Sequence, residues 1–522
     1  MTTDRTQQID QSGAGGAPPE KRPKRVMLTE DGRLKSGRLA GLSMGAAIWV
    51  LSWPVLTESF LNSLVGMTDT VLAAGLGEAE TDAVGGASYF MWFIGLVIMA
   101  LGVGATALIS RAVGGGKMAV ANAALGQTLV LGVVCGSLAG ALIYVSSGWL
   151  AGLLSMEPES ADAFRSYLGI IALGTPAAGV LFCGIACARG AGDSIRPLWA
   201  MVARNAVNIV VSFVLSGVDI VRPGESGPEV IFVNPSPFDL GVLGIALGTV
   251  LGDLVGALII LSMARSGVWG IRLRARRLKP HWHTMKRVIR VGVPNFFETL
   301  GMWVGNFLVI MIVGWIGAGS GGPLGAHIVA IRIEAFSFLP GFAMGIAAAT
   351  LAGQYLGAGS VELARKAVVL CMLIGAGVMG VLGILFVVYP TEIVGFISAQ
   401  PAHLELAPPL LIACGLVQVP FGMAIVFRQA MRGAGDVRMV MAITWITTYA
   451  VRLPLVYIFS GVDIARTVEI DGVVTREVLL ENPFGFEPSL TGVWVGMCIE
   501  LVIRGVVFTA RFMQGGWARA KV

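Results

Sequence analysis

The sequence of 522 residues is 55% hydrophobic and only 13% charged, with a mean hydropathy of +0.78. Soluble domains carry about 25% charged residues, so this composition excludes a water-soluble globule and indicates an all-α polytopic membrane protein. The net charge of +5 is modest, and we interpret it as loop charge on one membrane face rather than as a surface for nucleic acid. The six cysteines lie in apolar runs, so no disulfide framework, metal site or cofactor is predicted.

Residues 1–38 are rich in Gly, Pro, Gln and charge, and a disordered cytoplasmic tail is predicted there. After it come twelve apolar runs long enough to cross about 30 Å of hydrocarbon. We place them at 43–75, 84–110, 120–147, 166–187, 197–216, 240–263, 291–316, 324–351, 367–389, 408–428, 438–460 and 490–510. They predict an N-lobe of six helices over 39–264, a cytoplasmic linker over 265–290, a C-lobe of six helices over 291–513 and a cytoplasmic tail over 514–522.

Lysine and arginine are concentrated in the loops of one membrane face. The stretch from Arg272 to Arg290 is the densest, whereas the opposite face carries acids such as Glu78 and Glu157 and few cations. Positively charged loops favour the cytoplasmic side, so we predict a multi-pass protein of the cell (inner) membrane with both termini in the cytoplasm. Contact with membrane lipid and a monomeric state are expected.

One segment of the sequence returns in the second half. Arg189-Gly-Ala-Gly-Asp193 recurs 243 residues later as Arg432-Gly-Ala-Gly-Asp436. Nearly the same offset relates other pairs: Ser216–Ile220 with Ser460–Ile464, Pro54 with Pro294, and Glu58 with Glu298. An offset that holds over several anchors predicts a duplicated block of helices and therefore two pseudo-symmetric six-helix lobes facing one another. We interpret the Gly-Ala-Gly segments as sharp turns with a structural and hinge role.

Several of these motifs together resemble the multidrug and toxic compound extrusion (MATE) family. They are Pro54-Val-Leu-Thr-Glu58, the run from Leu64 to Thr70, the paired Arg-Gly-Ala-Gly-Asp segments, Ala326-His327 and the stretch from Arg511 to Trp517. The resemblance covers about residues 43–517, with the motifs in the same order in both halves. It implies a twelve-helix exporter whose lobes enclose a cavity open alternately to either side. Such proteins move organic, often cationic, compounds outward in exchange for protons or sodium ions.

Ion coupling requires ion-binding groups within the spans. An ionisable side chain there costs about 2.5–3.5 kcal/mol on insertion scales, so each one is a functional candidate. Asp69 lies eleven residues beyond Glu58, on nearly the same face of the first helix, and Asn62 is one turn past Glu58. The resemblance implies that Asp69 is the ion or proton site of the N-lobe. The alternative is a solvated charge at the membrane boundary. Glu58 and Asn62 are candidates for binding substrate or a second ion.

The fifth helix offers possible partners for Asp69. Asn208 and Ser212 are four residues apart and share a helix face, as two oxygen ligands would. Hydrogen bonding between helices explains the same residues equally well. Many members of the family that the chain resembles have a carboxylate or asparagine where Ser212 stands, so this departure weakens a sodium site and leaves proton exchange possible.

The second half is chemically different from the first. The counterpart of Asp69 is Val309, which cannot bind an ion. Glu298 and Glu334 are the candidates there for binding cationic substrate or a second ion, and Arg452 is a candidate countercharge. For Glu334, as for Arg332 on the same helix, the alternative is membership of an internal ion-pair network that fixes the lobe.

The sequence therefore favours secondary active efflux of organic, cationic small molecules, driven by a proton or sodium gradient with Asp69 as the coupling carboxylate. Gly114-Gly-Gly-Lys117 lacks the spacing of a nucleotide-binding loop. A flippase for a lipid-linked saccharide is the alternative, since Arg204, Arg332 and Arg452 would suit a cationic cavity. An enzyme is not expected, because the four histidines form no cluster with nucleophiles or carboxylates.

Overall fold

The computed structural model describes residues 27–520, except for 225–226, 317–321 and 471–472. Residues 1–26, most of the predicted disordered tail, lie outside the described residues. The N-lobe consists of α1 (Met44–Leu76), α2 (Glu78–Gly114), α3 (Met118–Leu153), α4 (Pro158–Gly190), α5 (Ile195–Ser216), β1 (Ile220–Gly224), β2 (Gly227–Phe232) and α6 (Val242–Ser266). The C-lobe begins with α7 (Trp282–Ile316), α8 (Pro323–Ala358), α9 (Val361–Val388), α10 (Pro390–Ile397), α11 (Pro401–Leu416) and α12 (Gln418–Ala434). It continues with α13 (Val437–Trp445), α14 (Leu453–Ser460), β3 (Ile464–Ile470), β4 (Val473–Leu480) and α15 (Leu490–Met513).

The predicted membrane architecture is confirmed. In the described part of the chain, eleven helical segments are long and apolar enough to cross a membrane, and the bent pair α11 and α12 makes a twelfth. These two helices meet at an angle of 59°. Pro420 accounts for the bend, because a proline ring clashes with the carbonyl four residues earlier, here that of Leu416. The tenth span is therefore a broken helix over 401–434, longer than the predicted 408–428.

The eleventh span contains a π-helix. Residues Ile446–Arg452 form it between α13 and α14, so the span runs from Val437 to Ser460. Pro454 has no N–H to donate to the carbonyl of Ala450, which weakens regular α-helical bonding at this point. π-segments within α-helices are frequent at functional sites, because they re-aim the side chains they carry.

The loop after α5 and the loop after α14 each contain a β-hairpin, which the all-α prediction did not anticipate. β1 pairs antiparallel with β2, and β3 pairs antiparallel with β4. The backbone N–H of Asn234 donates to Asp219 Oδ1 at 2.7 Å, and that of Asn482 donates to Asp463 Oδ1 at 2.6 Å. The same anchor therefore holds both hairpins, as expected for duplicated lobes.

The lobes meet at one end of the molecule, which we call the closed end. At Gly114 of α2 a Cβ atom would collide with the backbone of Gln354, and at Gly357 of α8 it would collide with the backbone of Arg111. Hydrogen bonds cross the same interface: Gln354 Nε2 donates to the carbonyl of Gly190 at 3.2 Å. Glycine is required here because the two backbones are in direct contact.

Residues 27–38 cross this closed end, so the prediction of a disordered tail is wrong for them. Leu34 is buried, and the Ser36 hydroxyl donates to the carbonyl of Val113 in the N-lobe at 2.6 Å. The N–H of Met27 donates to the carbonyl of Ala358 in the C-lobe at 3.3 Å. The polar composition of the tail concealed Leu34, which packs with buried C-lobe residues such as Leu351.

The linker between the lobes is shorter than predicted, because α7 begins at Trp282 rather than near residue 291. Gln127 of α3 holds the linker in place, because its Nε2 donates to the carbonyls of Arg277 and Lys279 at 2.6 and 2.9 Å. The same side chain accepts a bond from the N–H of His281 through Oε1 at 2.8 Å. The linker is therefore bound to the N-lobe.

Replacing Gly114 with Ala is expected to separate the lobes at the closed end, because the added methyl group has no space against Gln354. Gly95→Ala on the same helix is the matched control, since nothing lies within 4 Å of a Cβ there. The measurement is labelling of Ser110→Cys, a buried position at this interface, by a membrane-impermeant maleimide. Labelling should be fast with Gly114→Ala and slow with Gly95→Ala. Equal protection in both would contradict the tight packing described here.

Candidate functional site

Asp69 lies in the C-terminal half of α1 and has one unsatisfied carboxylate oxygen. Its Oδ1 is buried and accepts no hydrogen bond from the described residues. The side chain is half-buried and interacts electrostatically with Arg204 of α5 and with the hydroxyl of Tyr167 on α4. A carboxylate oxygen out of water and without a donor favours binding a proton or a cation. The fully solvated alternative for Asp69 does not fit this burial.

Asn208 adds a second unsatisfied oxygen to the same region. Its Nδ2 donates to Thr249 Oγ1 of α6 at 3.0 Å, while its Oδ1 is buried without a hydrogen-bond donor. Tyr167 lies against Thr249, which connects the surroundings of Asn208 with those of Asp69. Ser212 is fully buried, and its hydroxyl donates to the carbonyl of Ile245 on α6 at 3.3 Å. Ser212 therefore forms a hydrogen bond between α5 and α6, which is the alternative to an ion-binding role that the sequence left open.

Arg204, the cation that interacts with Asp69, already has an acidic partner of its own. Arg204 Nε donates to Asp253 Oδ1 of α6 at 2.9 Å, and Arg204 Nη1 donates to Asn205 Oδ1 at 3.0 Å. The Arg204–Asp253 pair is neutral overall, so it does not satisfy the charge of Asp69. The N-lobe interior therefore contains one carboxylate that no arginine is bonded to within the described residues.

Glu58 and Glu298, both predicted as substrate or ion candidates, are bound to the arginines of the repeated motif. Arg189 Nη2 lies 2.5 Å from Glu58 Oε2, and Arg432 Nη2 lies 2.8 Å from Glu298 Oε2. Thr444 Oγ1 also donates to Glu298 Oε1 at 3.0 Å. The two ion pairs occupy equivalent places in the lobes. Neither carboxylate is free in this structure. Arg189 and Arg432, which lie in the last turns of α4 and α12, each have a carboxylate partner.

Asn62 remains without a defined role. It is half-buried on α1, one turn beyond Glu58. Its assignment as a substrate or second-ion residue stays a prediction.

The C-lobe interior is a network of buried charges around the π-helix. Arg452 Nη2 donates to Glu500 Oε2 at 2.8 Å, and Arg504 Nε donates to Glu500 Oε1 at 2.6 Å. Arg504 also donates to the hydroxyls of Thr447 and Thr448, both on the π-helix, at 3.1 and 2.9 Å. Glu500 and Arg504 therefore form a buried packing pair, and Arg452 is a countercharge to Glu500.

Among the described interior carboxylates of the C-lobe (Glu298, Glu334 and Glu500), Glu334 of α8 forms no ion pair. It lies beside the Cys414 thiol and interacts electrostatically with Arg452. Val309, the counterpart of Asp69, is buried. The two lobes therefore differ in their chemistry, as the sequence predicted.

Comparison with known families locates the duplicated unit. A model of the MatE family matches residues 54–214 and 294–458. The chain belongs to the MatE family. The matched segments begin at Pro54 and Pro294, the prolines that the internal repeat pairs, so the family unit occurs once in each lobe. The resemblance drawn from the motifs is confirmed.

Curated relatives span nearly the whole chain. A Thermotoga maritima protein named probable multidrug resistance protein NorM is 25% identical over 476 residues, which are 90% of this chain and 93% of that relative. The multidrug resistance protein PmpM of Pseudomonas aeruginosa is 24% identical over 410 residues, which are 78% of this chain and 82% of that relative.

Solved structures of the family share the fold. An outward-facing conformation of a multidrug resistance MATE family transporter of the MOP superfamily matches with a TM-score of 0.77 at 19% identity, over 91% of this chain and 97% of that one. A MATE structure in a bent conformation matches with a TM-score of 0.77 at 20% identity, over 91% of this chain and 96% of that one. The helical membrane fold is therefore that of MATE transporters.

Sequence reasoning missed several polar residues of this MatE protein. Tyr167 lies on α4 directly after Arg165 and Ser166, and Thr249 lies in an apolar stretch of α6, four residues before Asp253. Thr447 and Thr448 lie next to each other, which in an α-helix would place them on different sides. The π-helix instead brings both to Arg504. The spacing of Thr249 and Asp253 on one helix face could have indicated Thr249, whereas no such signal marks the π-helix.

Glu500→Gln is expected to destabilise the C-lobe strongly, because it leaves Arg452 and Arg504 buried without a carboxylate. Breaking a buried pair by removing one partner costs about 3–5 kcal/mol. Glu405→Gln, at an exposed position of α11, is the matched control. Thermal unfolding of the purified protein followed by tryptophan fluorescence provides the measurement. Equal unfolding midpoints for the two variants would show that the network does not hold the lobe together.

Proposed function

We propose that this protein is a secondary active efflux transporter of organic, cationic small molecules, driven by a proton or sodium gradient. Membership of the MatE family and the names of the curated relatives support multidrug efflux. The observation that carries the coupling part of the proposal is Asp69, whose buried Oδ1 lacks a donor inside a membrane span. An intramembrane acid in this condition changes its interactions when a proton or cation binds.

In the proposed cycle, a proton or cation that enters from outside neutralises Asp69. Neutralisation removes the electrostatic attraction to Arg204 and permits α1 to repack. Pro54 provides a point for bending, because a proline inside a helix removes one backbone hydrogen bond. Repacking of α1 releases the cargo to the outside as the drug site closes on that side. The protein supplies this step by placing one acid on a helix that can bend.

The orientation of the protein follows from charge and from the closed end. The loop at Lys117, the Arg189–Arg196 turn and the linker all lie at the end where the lobes meet, and they carry the positive charge. With this end in the cytoplasm, both termini are cytoplasmic and the structure is the outward-open state. Location in the inner membrane and a monomeric state belong to the same proposal.

The flippase alternative is less well supported. Of the three arginines that favoured a cationic cavity, Arg204 is paired with Asp253 and Arg452 is paired with Glu500. Arg332 is exposed on α8. The first two are therefore not available to bind a pyrophosphate group.

Asp69→Asn should abolish gradient-driven efflux, because the amide keeps the shape of the side chain but cannot take up a proton. Asp82→Asn, at an exposed position near the start of α2, should retain efflux and serves as the control. The measurement is exclusion of a fluorescent cation from cells and from vesicles with an imposed gradient, at matched amounts of inserted protein. Undiminished efflux by Asp69→Asn would defeat the coupling assignment.

Ser212→Asp should strengthen driving by sodium, because it adds a second carboxylate next to the unsatisfied oxygen of Asn208. Ser212→Asn has the same size without the charge and is the matched control. In vesicles with imposed sodium or pH gradients, the sodium concentration for half-maximal efflux should fall on the order of tenfold for Ser212→Asp alone, equivalent to about 1.4 kcal/mol. If the two variants respond alike to sodium, charge at this position does not select the ion.

A further inference from the structure

Arg428 is an arginine of the C-lobe interior that no carboxylate neutralises. It lies on α12, one turn before Arg432, and forms none of the ion pairs found among the described residues. The other three arginines of this interior each contact a glutamate: Arg432 contacts Glu298, and Arg452 and Arg504 contact Glu500. Arg428 therefore carries the unmatched positive charge on its side of the network.

The protein contacts of Arg428 do not compensate its charge. Its Nη1 lies 3.5 Å from the sulfur of Met302 on α7, which is a weak acceptor. Its Nε is buried and has no acceptor in the described chain. A guanidinium group with a buried, unused N–H is costly in an apolar interior unless another group accepts that bond.

The neighbouring charges are already bonded elsewhere. Arg428 interacts electrostatically with Glu298 and Glu500, but Glu298 is held by Arg432 and Thr444, and Glu500 is held by two arginines. Counting the ionisable groups that face this interior gives four arginines (Arg428, Arg432, Arg452 and Arg504) and three glutamates (Glu298, Glu334 and Glu500). The interior therefore has an excess of one positive charge, and Arg428 is its arginine without an ion pair among the described residues.

A second cation lies on the other side of the same methionine. Arg504 Nη1 lies 4.0 Å from Met302 Sδ, so Arg428 of α12 and Arg504 of α15 approach Met302 from two helices. Arg428 and Met302 are both half-buried, which leaves part of this place accessible. Displacing the flexible Met302 side chain would open a position between two guanidinium groups.

Aromatic surface lies nearby on α7. Trp303, the residue after Met302, packs against Trp92 of α2 with ring centroids 4.2 Å apart, and this contact joins the two lobes. Trp303 retains 39% of its surface exposed. A ligand bound at Arg428 would therefore have flat apolar surface available where α7 borders the gap between the lobes.

We propose that Arg428 binds an anionic group, specifically a carboxylate, of the transported molecule. Its planar fork matches the two oxygens of a carboxylate and supplies charge-assisted bonds. Glu334, the acid of this interior without an ion pair among the described residues, interacts with Arg452 and not with Arg428, so it does not occupy this position. The cargo expected at this site therefore carries a carboxylate. This inference rests on the proposed transport function and narrows its substrate class.

The test compares two forms of one dye in their binding to the purified full-length protein in phosphatidylcholine nanodiscs without any ion gradient. The probes are a xanthene dye with a cationic core and a free carboxylate, and the methyl ester of the same dye. Fluorescence anisotropy should show that the wild-type protein binds the acid at least about tenfold more tightly than the ester, as expected for a charge-assisted bond.

Arg428→Met should lose this preference while its affinity for the ester is unchanged, which also shows that the variant is folded. Arg428→Lys keeps the charge without the fork and should retain only part of the preference. Arg438→Met, an exposed arginine at the start of α13, is the matched control and should behave like the wild type. Equal affinity of the wild type for acid and ester, or an Arg428→Met variant that keeps the preference, would overturn the proposal.

Two further outcomes are distinguishable. If phosphatidylglycerol added to the nanodiscs removes the preference of the wild type for the acid, Arg428 binds a lipid phosphate instead of cargo, and the proposal fails. Because binding is measured without a gradient, a loss of coupled efflux leaves this experiment unaffected. A protein that prefers the acid but shows no gradient-driven efflux would refute the proposed coupling and retain the anion site.

Discussion

The need to neutralise charge inside hydrocarbon is the constraint on which this structure depends. The protein meets it twice in the same way, with Glu58 bound to Arg189 in one lobe and Glu298 bound to Arg432 in the other. Each pair joins the first helix of a lobe to the turn after its fourth span. The N-lobe turn also accepts hydrogen bonds from Thr350 and Gln354 across the lobe interface. The Glu58–Arg189 pair that stabilises the N-lobe is therefore next to the interface at which the lobes meet.

The other charged residues inside the membrane fall into two groups: those bonded to a partner, which stabilise the fold, and those without an ion pair, which are candidates for function. The Arg204–Asp253 pair is neutral, and Arg452 and Arg504 share Glu500 with Glu334 nearby; these groups hold helices together. Asp69 in the N-lobe and Arg428 in the C-lobe form no ion pair within the described chain. Duplication produced two lobes of one fold, and divergence at single positions, such as Asp69 against Val309, then made their interiors chemically different.

Particular residues show how far the sequence could lead. The repeat revealed both Glu58 and Arg189 with their counterparts, because duplicated residues keep their spacing. It did not show that they contact each other, since the pair is separated by 131 residues along the chain. Asn208 was found from its helix face, whereas Tyr167 and Thr249 were not, because their contact joins two helices that are far apart in the sequence. Residues 27–38 resembled a disordered tail, since Leu34 is buried by packing with C-lobe residues that are far away along the chain.

From the sequence alone we could predict the membrane class, the two lobes of six helices, the family and the chemical difference between the lobes. These properties follow from local composition and from spacing along the chain, which hydrophobicity and duplication leave directly visible. Only the packed structure shows which acids are paired and where the lobes touch. It also shows that the π-helix directs Thr447 and Thr448 to the same arginine, Arg504. Those outcomes depend on distances between helices that are far apart in sequence, and burial fixes such distances only when all the helices are packed together.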